Sequence, residues 1–303
     1  MHKMDILTLS HVTKRFGSHM VIDDLSFSVP ENTIYGFIGE NGAGKTTTMK
    51  MILGLYRVEG GVIQVNGENV TYGQTNTNRY IGYLPDVPEF YGYMTPSEYL
   101  RLCGEITGIP EKQLKSRTTE LLELVGLEKA NKRIQGFSRG MKQRLGIAQA
   151  LLNKPKLLIC DEPTSALDPI GRKEIIDILQ SVKNQTTVVF STHILSDVER
   201  ICDEIGLIHN GKLALEGNMN DIRKLRRRDG YEIEFYKEED ARNFSEIYTG
   251  GILLSKTQLL YKERNEEDML KAMKALYENN IHPQKIEMRE ATLESLFMEV
   301  VKK

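Results

Sequence analysis

The sequence predicts an α/β body interrupted by a run of helices and followed by a small α+β unit. Three observations predict it. GFIGENGAGKTT at 36–47 places a glycine-rich loop between an apolar stretch and the start of a helix. Residues 95–154 read as helix after helix, interrupting strands on either side. Beyond Gly217 the order becomes β-α-β-β-α-β with one further helix.

Taken in order, DILTLSHVTKRF alternates apolar and polar residues and ends in a Phe-Gly turn. LSFSVP, TIYGFIG and GVIQVNG follow as short strands broken by Gly, Pro and Asn. A helix is predicted from Lys45 to about Leu53. Thr95-Pro96-Ser97-Glu98 is a capping box with proline at the first helical position, opening a helix that runs through Ile106. The next helix fits Glu111 to Val125, closed by Gly126, and a third starts at Ser138 and stops before Pro155. LLIC is a strand; Asp168-Pro169 caps a helix to about Val182; TTVVF, β-branched and short, is a buried strand. Asp203 to Leu215 reads as a hairpin around His209-Asn210-Gly211. The division is then 1–217 for the body, with its insertion at about 95–154, a linker at 218–230, and 231–303 for the accessory unit. In the last, YEIEFY, ILLS, QLLYKE and KIEMR are strands, with helices at about 238–248, at 267–278 and in ATLESLFMEVV.

At 303 residues, 40% hydrophobic, the chain can bury a large core and a smaller one. A formal charge of −2 argues against a protein whose business is coating nucleic acid. Cys103, Cys160 and Cys202 fall in no metal-like spacing and fit a reducing compartment. MHKMDILTLS lacks the apolar core of a signal peptide, and no stretch is long enough to span a bilayer. A role at a membrane would need a partner to make the crossing.

Gly39-Glu40-Asn41-Gly42-Ala43-Gly44-Lys45-Thr46 matches G-x-x-x-x-G-K-[ST], and Thr47 follows in the same loop-to-helix step. Glycines let successive N–H groups curl toward anionic oxygens, the lysine reaches the outer phosphates, and the threonine hydroxyl is suited to Mg²⁺. A nucleoside triphosphate with Mg²⁺ is the expected ligand. KLLICDEP puts Asp161 and Glu162 at the carboxyl end of an apolar strand, where ligands gather in α/β sheets. There Asp161 can hold the metal through its waters, and Glu162 can aim an attacking water. Ser138, with Gly140 two residues on, exposes free N–H groups at a helix N-terminus, a second anion-binding device.

In order and spacing, GENGAGKT, FSRGMKQRL, LLICDEPTSALD and STH resemble the ATP-binding subunits of ABC transporters, over roughly residues 4–217. The resemblance implies a phosphate-loop cassette with a parallel-sheet core, an antiparallel β subdomain and a helical insertion. It implies a head-to-tail dimer, with each ATP between the phosphate loop of one subunit and Ser138, Arg139, Gly140 and Met141 of the other. It further implies that Phe16 stacks on adenine and that His193 contacts the γ-phosphate and the catalytic water. Ser165, Ala166, Leu167 and Asp168 would communicate across the dimer. The chain departs from the family pattern in two places: Phe137-Ser138-Arg139-Gly140-Met141 stands where the signature is usually leucine-serine-glycine-glycine-glutamine, and Asp86 replaces a glutamine that helps bind Mg²⁺. Both variants resemble the branch that exports drugs, antibiotics or lipids through an ABC-2 type permease. The expected partners are therefore a permease and a second ATP-binding subunit, identical or not, at the cytoplasmic face of the cell membrane. The alternative is a soluble cassette acting on nucleic acid or ribosomes. Tyr91, Tyr93 and Met94 either receive the permease or pack the insertion. The basic run 223–228 reads as a solvated linker face or a lipid contact, and the C-terminal unit as a dimer contact or a regulator.

Overall fold

The computed structural model describes residues 4–74, 76–225, 228–262, 264–290 and 293–301. Two compact units form, Met1–Met219 and Asn220–Lys303. The first opens with strands β1 (Asp5–Phe16), β2 (His19–Pro30) and β3 (Ile34–Ile38), helix α1 (Lys45–Ile52), and the hairpin β4 (Gly60–Val65) and β5 (Glu68–Asn69). Strand β6 (Ile81–Leu84) leads to helices α2 (Pro96–Ile106), α3 (Glu111–Leu124) and α4 (Arg139–Leu151). Then come β7 (Leu157–Asp161), α5 (Pro169–Val182), β8 (Thr187–Thr192), α6 (Leu195–Ile201), β9 (Glu204–His209) and β10 (Lys212–Asn218).

Six strands pair in the order β10-β9-β3-β8-β7-β6, parallel except for the β9–β10 hairpin at one edge. Every residue of β3, β7 and β8 is buried, as strands covered on both faces must be. The second sheet, β2-β1-β4-β5, is antiparallel. One core joins the two sheets through Leu9, Leu25, Phe37, Met49, Ile159 and Val189. At about 2 kcal/mol for each large apolar side chain withdrawn from water, that contact is what seats α1 and its preceding loop. Three helices interrupt the strands between β6 and β7. Thr95 caps α2 with the full reciprocal box, its hydroxyl accepting from the Glu98 N–H while the Glu98 carboxylate accepts from the Thr95 N–H.

Helix α7 (Met219–Leu225) follows β10 directly, and β11 (Arg228–Phe235) begins three residues after it. The stretch 218–230, read as a linker, therefore carries regular structure. Its seven-residue helix buries Met219 and Ile222, an i, i+3 pair too short for a periodicity to register. The side chains of the basic run 223–228 lie outside the described residues. The second unit continues with α8 (Glu238–Ile247), β12 (Ile252–Ser255), β13 (Gln258–Lys262), α9 (Glu266–Glu278), β14 (Pro283–Glu290) and α10 (Leu293–Val301). Its antiparallel sheet, ordered β12-β13-β11-β14, has its own core of Tyr231, Ile233, Phe244, Tyr261 and Leu276. Among the described residues no helix is long and apolar enough to cross a membrane.

Candidate functional site

Buried β3 delivers the chain to the glycine loop. Gly42 and Gly44 take φ values of 88° and 111°, left-handed backbone that side chains resist. At Gly44 a Cβ would also stand 2.4 Å from Ile22 Cδ1, so the loop cannot thicken without leaving the core. Gly44 is the N-cap of α1, which has no side-chain cap and no acidic residue in its first turn. The free N–H groups at that terminus are open to an anion. A pocket of about 240 Å³ lies over them, lined by Asn41, Gly42, Gly44, Lys45, Thr46 and Thr47, with Val21, Asp86 and Glu162 completing it.

Lys45 is almost wholly buried. Its ammonium donates to Gly39 O at 2.7 Å and Glu40 O at 3.2 Å, and stands 3.2 Å from Glu162 Oε1. That carboxylate oxygen is buried and out of line for a hydrogen bond, so it is near a charge but without a donor of its own. The other oxygen, Oε2, lies 2.9 Å from His193 Nδ1. Glu162 thus spans Lys45, the first residue of α1, and His193, the residue that follows β8. Asp161 closes β7 and is buried; its Oδ1 accepts from Ser191 Oγ at 2.6 Å. The same hydroxyl oxygen accepts the Glu162 N–H at 3.0 Å. Burial, and after it the Asp161 carboxylate, pushes the nearby Tyr83 phenol up, so it stays neutral beside the site.

Sequence reasoning did not single out Ser191, which sets both acidic residues, nor Asp197. In α6, Asp197 accepts from Thr164 Oγ1 at 2.7 Å and from Arg172 at 3.0 Å, clamping the loop after Glu162 to the segment after His193. The only signal for either residue is a polar side chain inside an apolar or amphipathic run, which demands a partner without naming it. Within the clamped loop, Glu162 and Ala166 both take left-handed φ, 47° and 53°. Leu167 lies 3.9 Å from where a Cβ on Gly140 would stand, and Asp168 caps α5, accepting the Gly171 N–H at 2.8 Å.

Ser138 caps α4, its hydroxyl accepting from the Met141 N–H at 3.3 Å. None of Ser138, Arg139, Gly140 and Met141 lines the pocket of Lys45. Asp86 does, but its carboxylate is engaged: Oδ1 accepts from Arg139 Nη2 at 3.1 Å. Phe16, at the end of β1, is 45% exposed and edge-on to Tyr56 at 5.4 Å, so it is no core residue, and it stands outside the lining of this pocket. Tyr91 and Tyr93 are exposed, their rings 6.0 Å apart.

A phosphate-loop cradle, a buried lysine and a carboxylate–histidine pair at the carboxyl ends of parallel strands define a nucleoside-triphosphatase. The ABC transporter family pattern matches residues 22–165. Bacitracin transport ATP-binding protein BcrA of Bacillus licheniformis is 39% identical over 308 residues, covering 98% of this chain and 97% of that one. The uncharacterized ABC transporter ATP-binding protein YxlF of Bacillus subtilis (strain 168) is 43% identical over 220 residues, covering 72% and 73%. A solved structure of an ATP-binding subunit of an ABC transporter superposes with a TM-score of 0.65 at 34% identity, covering 73% of this chain and 92% of that one. The chain belongs to the ATP-binding subunits of ABC transporters. It is an ATPase of that family, and such subunits work with a membrane permease and dimerise. The alternative of a soluble cassette acting on nucleic acid or ribosomes is not favoured by these relatives.

Proposed function

We propose that this chain powers an exporter of a peptide antibiotic or a similar amphipathic compound, at the cytoplasmic face of the membrane. The observation that carries the reading is that similarity to a bacitracin transport protein runs through both units, over 98% of the chain. ATP is held by the loop 39–47 and Lys45, with Phe16 offered to the adenine. Thr46 and Asp161 supply a hydroxyl and a buried carboxylate, hard oxygen donors that fit Mg²⁺. When bound, that ion would offset the charge of the phosphates. Glu162, with one oxygen lacking a donor and the other on His193, acts as general base for the attacking water. His193 orients that carboxylate and meets the γ-phosphate.

Ser138 and Gly140 complete the pocket of a second subunit rather than their own; their absence from the lining around Lys45 supports this. Ser165, Ala166, Leu167 and Asp168 carry the state of one site to the other. Closure of the pair drives the permease, and loss of the bridging phosphate reopens it. The exposed pair Tyr91 and Tyr93 offers the permease an aromatic seat. The test is Glu162→Gln in the full chain. Nucleotide binding is expected to persist while hydrolysis falls by about 100-fold or more. A variant that hydrolyses ATP at the native rate would remove Glu162 from the base role. Co-purification of a polytopic subunit from detergent-solubilised membranes tests the transporter assignment; recovery with ribosomes or DNA instead would overturn it.

A further inference from the structure

Asp86 belongs to two sites at once. Asp86 lines the pocket with Lys45, Thr46 and Glu162, while Arg139 of α4 holds its carboxylate at 3.1 Å. Its backbone oxygen accepts from Gln143 Nε2 at 2.6 Å, and Gln143, one turn further along α4, is fully buried. The helix that supplies both donors is pressed against the strand that leads to Asp86. A Cβ on Gly146 of α4 would lie 2.5 Å from Leu84 Cδ1, and one on Gly82 of β6 would lie 2.2 Å from Ala150 O. With no room for a side chain between them, β6 packs against the middle and last turn of α4, and Gln143 ties the first half of the helix to residue 86. Asp86 and Arg139, residues from the two places where the chain departs from the family pattern, thus meet in one contact.

Both side chains are about half exposed, at 47% and 42%. Exposed ion pairs add at most about 1 kcal/mol to stability, so folding does not explain the pair. Charge does. An unpaired carboxylate on the wall of a pocket that receives a polyanion repels it at close range, and a guanidinium at hydrogen-bonding distance cancels that repulsion. We propose that Arg139 is a positioning residue for the ATP pocket of its own subunit, neutralising and fixing Asp86, rather than a contact to the nucleotide of the partner. The proposal rests on the ATP-site reading above.

The test is a double-mutant cycle on the full chain, read as the Kd for a fluorescent ATP analogue with Mg²⁺. The titrations use protein concentrations at which light scattering finds the chain monomeric. Arg139→Gly is expected to weaken binding about fivefold at low ionic strength, with the loss shrinking in high salt. Arg139→Lys is expected to keep most of the affinity. Asp86→Gln combined with Arg139→Gly is expected to return to within about twofold of the parent, because the repelling charge has gone. Arg139→Gly binding as tightly as the parent would overturn the proposal. So would a loss that persists undiminished when Asp86 is also replaced, since Arg139 would then act without it. A parent chain that binds no nucleotide would sink the ATP-site reading and this assignment together; normal parent binding isolates a failure to Arg139.

Discussion

Ser191 shows how one buried hydroxyl organises the acidic pair. It donates to Asp161 and accepts from the Glu162 N–H, inside a strand with no water to substitute. Ser191→Ala is expected to cost about 1–3 kcal/mol, the penalty for stranding buried polar partners, and to slow hydrolysis by moving Glu162. Thermal melting and steady-state ATPase assays check both; an unchanged turnover would show that Glu162 keeps its place by other means. At this scale the glycine loop, Asp161, Glu162 and His193 were legible because spacing along the chain carries them. Ser191, Asp197 and Gln143 were not, because their partners lie 25 or more residues away in sequence. Asp86 and Arg139 were each visible as oddities, yet nothing in the chain order shows that they touch.

Among the elements, β6 and α4 depend on two absent side chains. Gly82→Ala would drive a methyl into the Ala150 carbonyl, and no rotamer can relieve a clash with backbone. The expected loss is about 2 kcal/mol, a fall in Tm of roughly 4–8 °C by calorimetry. Gly82→Ala melting like the parent would mean that helix and strand can separate freely. Caps made α2 and α5 easy to read: Thr95 and Asp168 both accept the bonds their positions imply. Strand β6 was harder. It is four residues long and runs straight into Pro85, too short a stretch for the sequence analysis to assign a strand. Helix α6 also escaped, since its seven residues follow a strand too closely to show a period.

For the whole molecule, two separate cores predict two separable folding units. Residues 1–219 have a core joining both sheets, and residues 220–303 have one of stacked aromatics, with Tyr231 and Tyr261 centred 5.0 Å apart. A chain ending at Met219 is therefore expected to fold and bind MgATP, as circular dichroism and nucleotide titration would show. Failure to bind would mean that the second unit is needed to form the first. The β-α-β-β-α-β order of the second unit was legible from strand and helix signals alone. Its role was not, because no motif in 231–303 names a ligand or a reaction.

The left-handed turn at Ala166 sets heat tolerance against turnover. For a residue with a Cβ that conformation costs about 1–2 kcal/mol, whereas a glycine there would forfeit only about 0.4–1 kcal/mol by loosening the unfolded chain. Ala166→Gly is thus expected to melt slightly higher in a calorimeter while giving the loop between Glu162 and Asp168 more backbone freedom. Selection on thermostability alone would welcome such a chain and deliver a sturdier, slower motor.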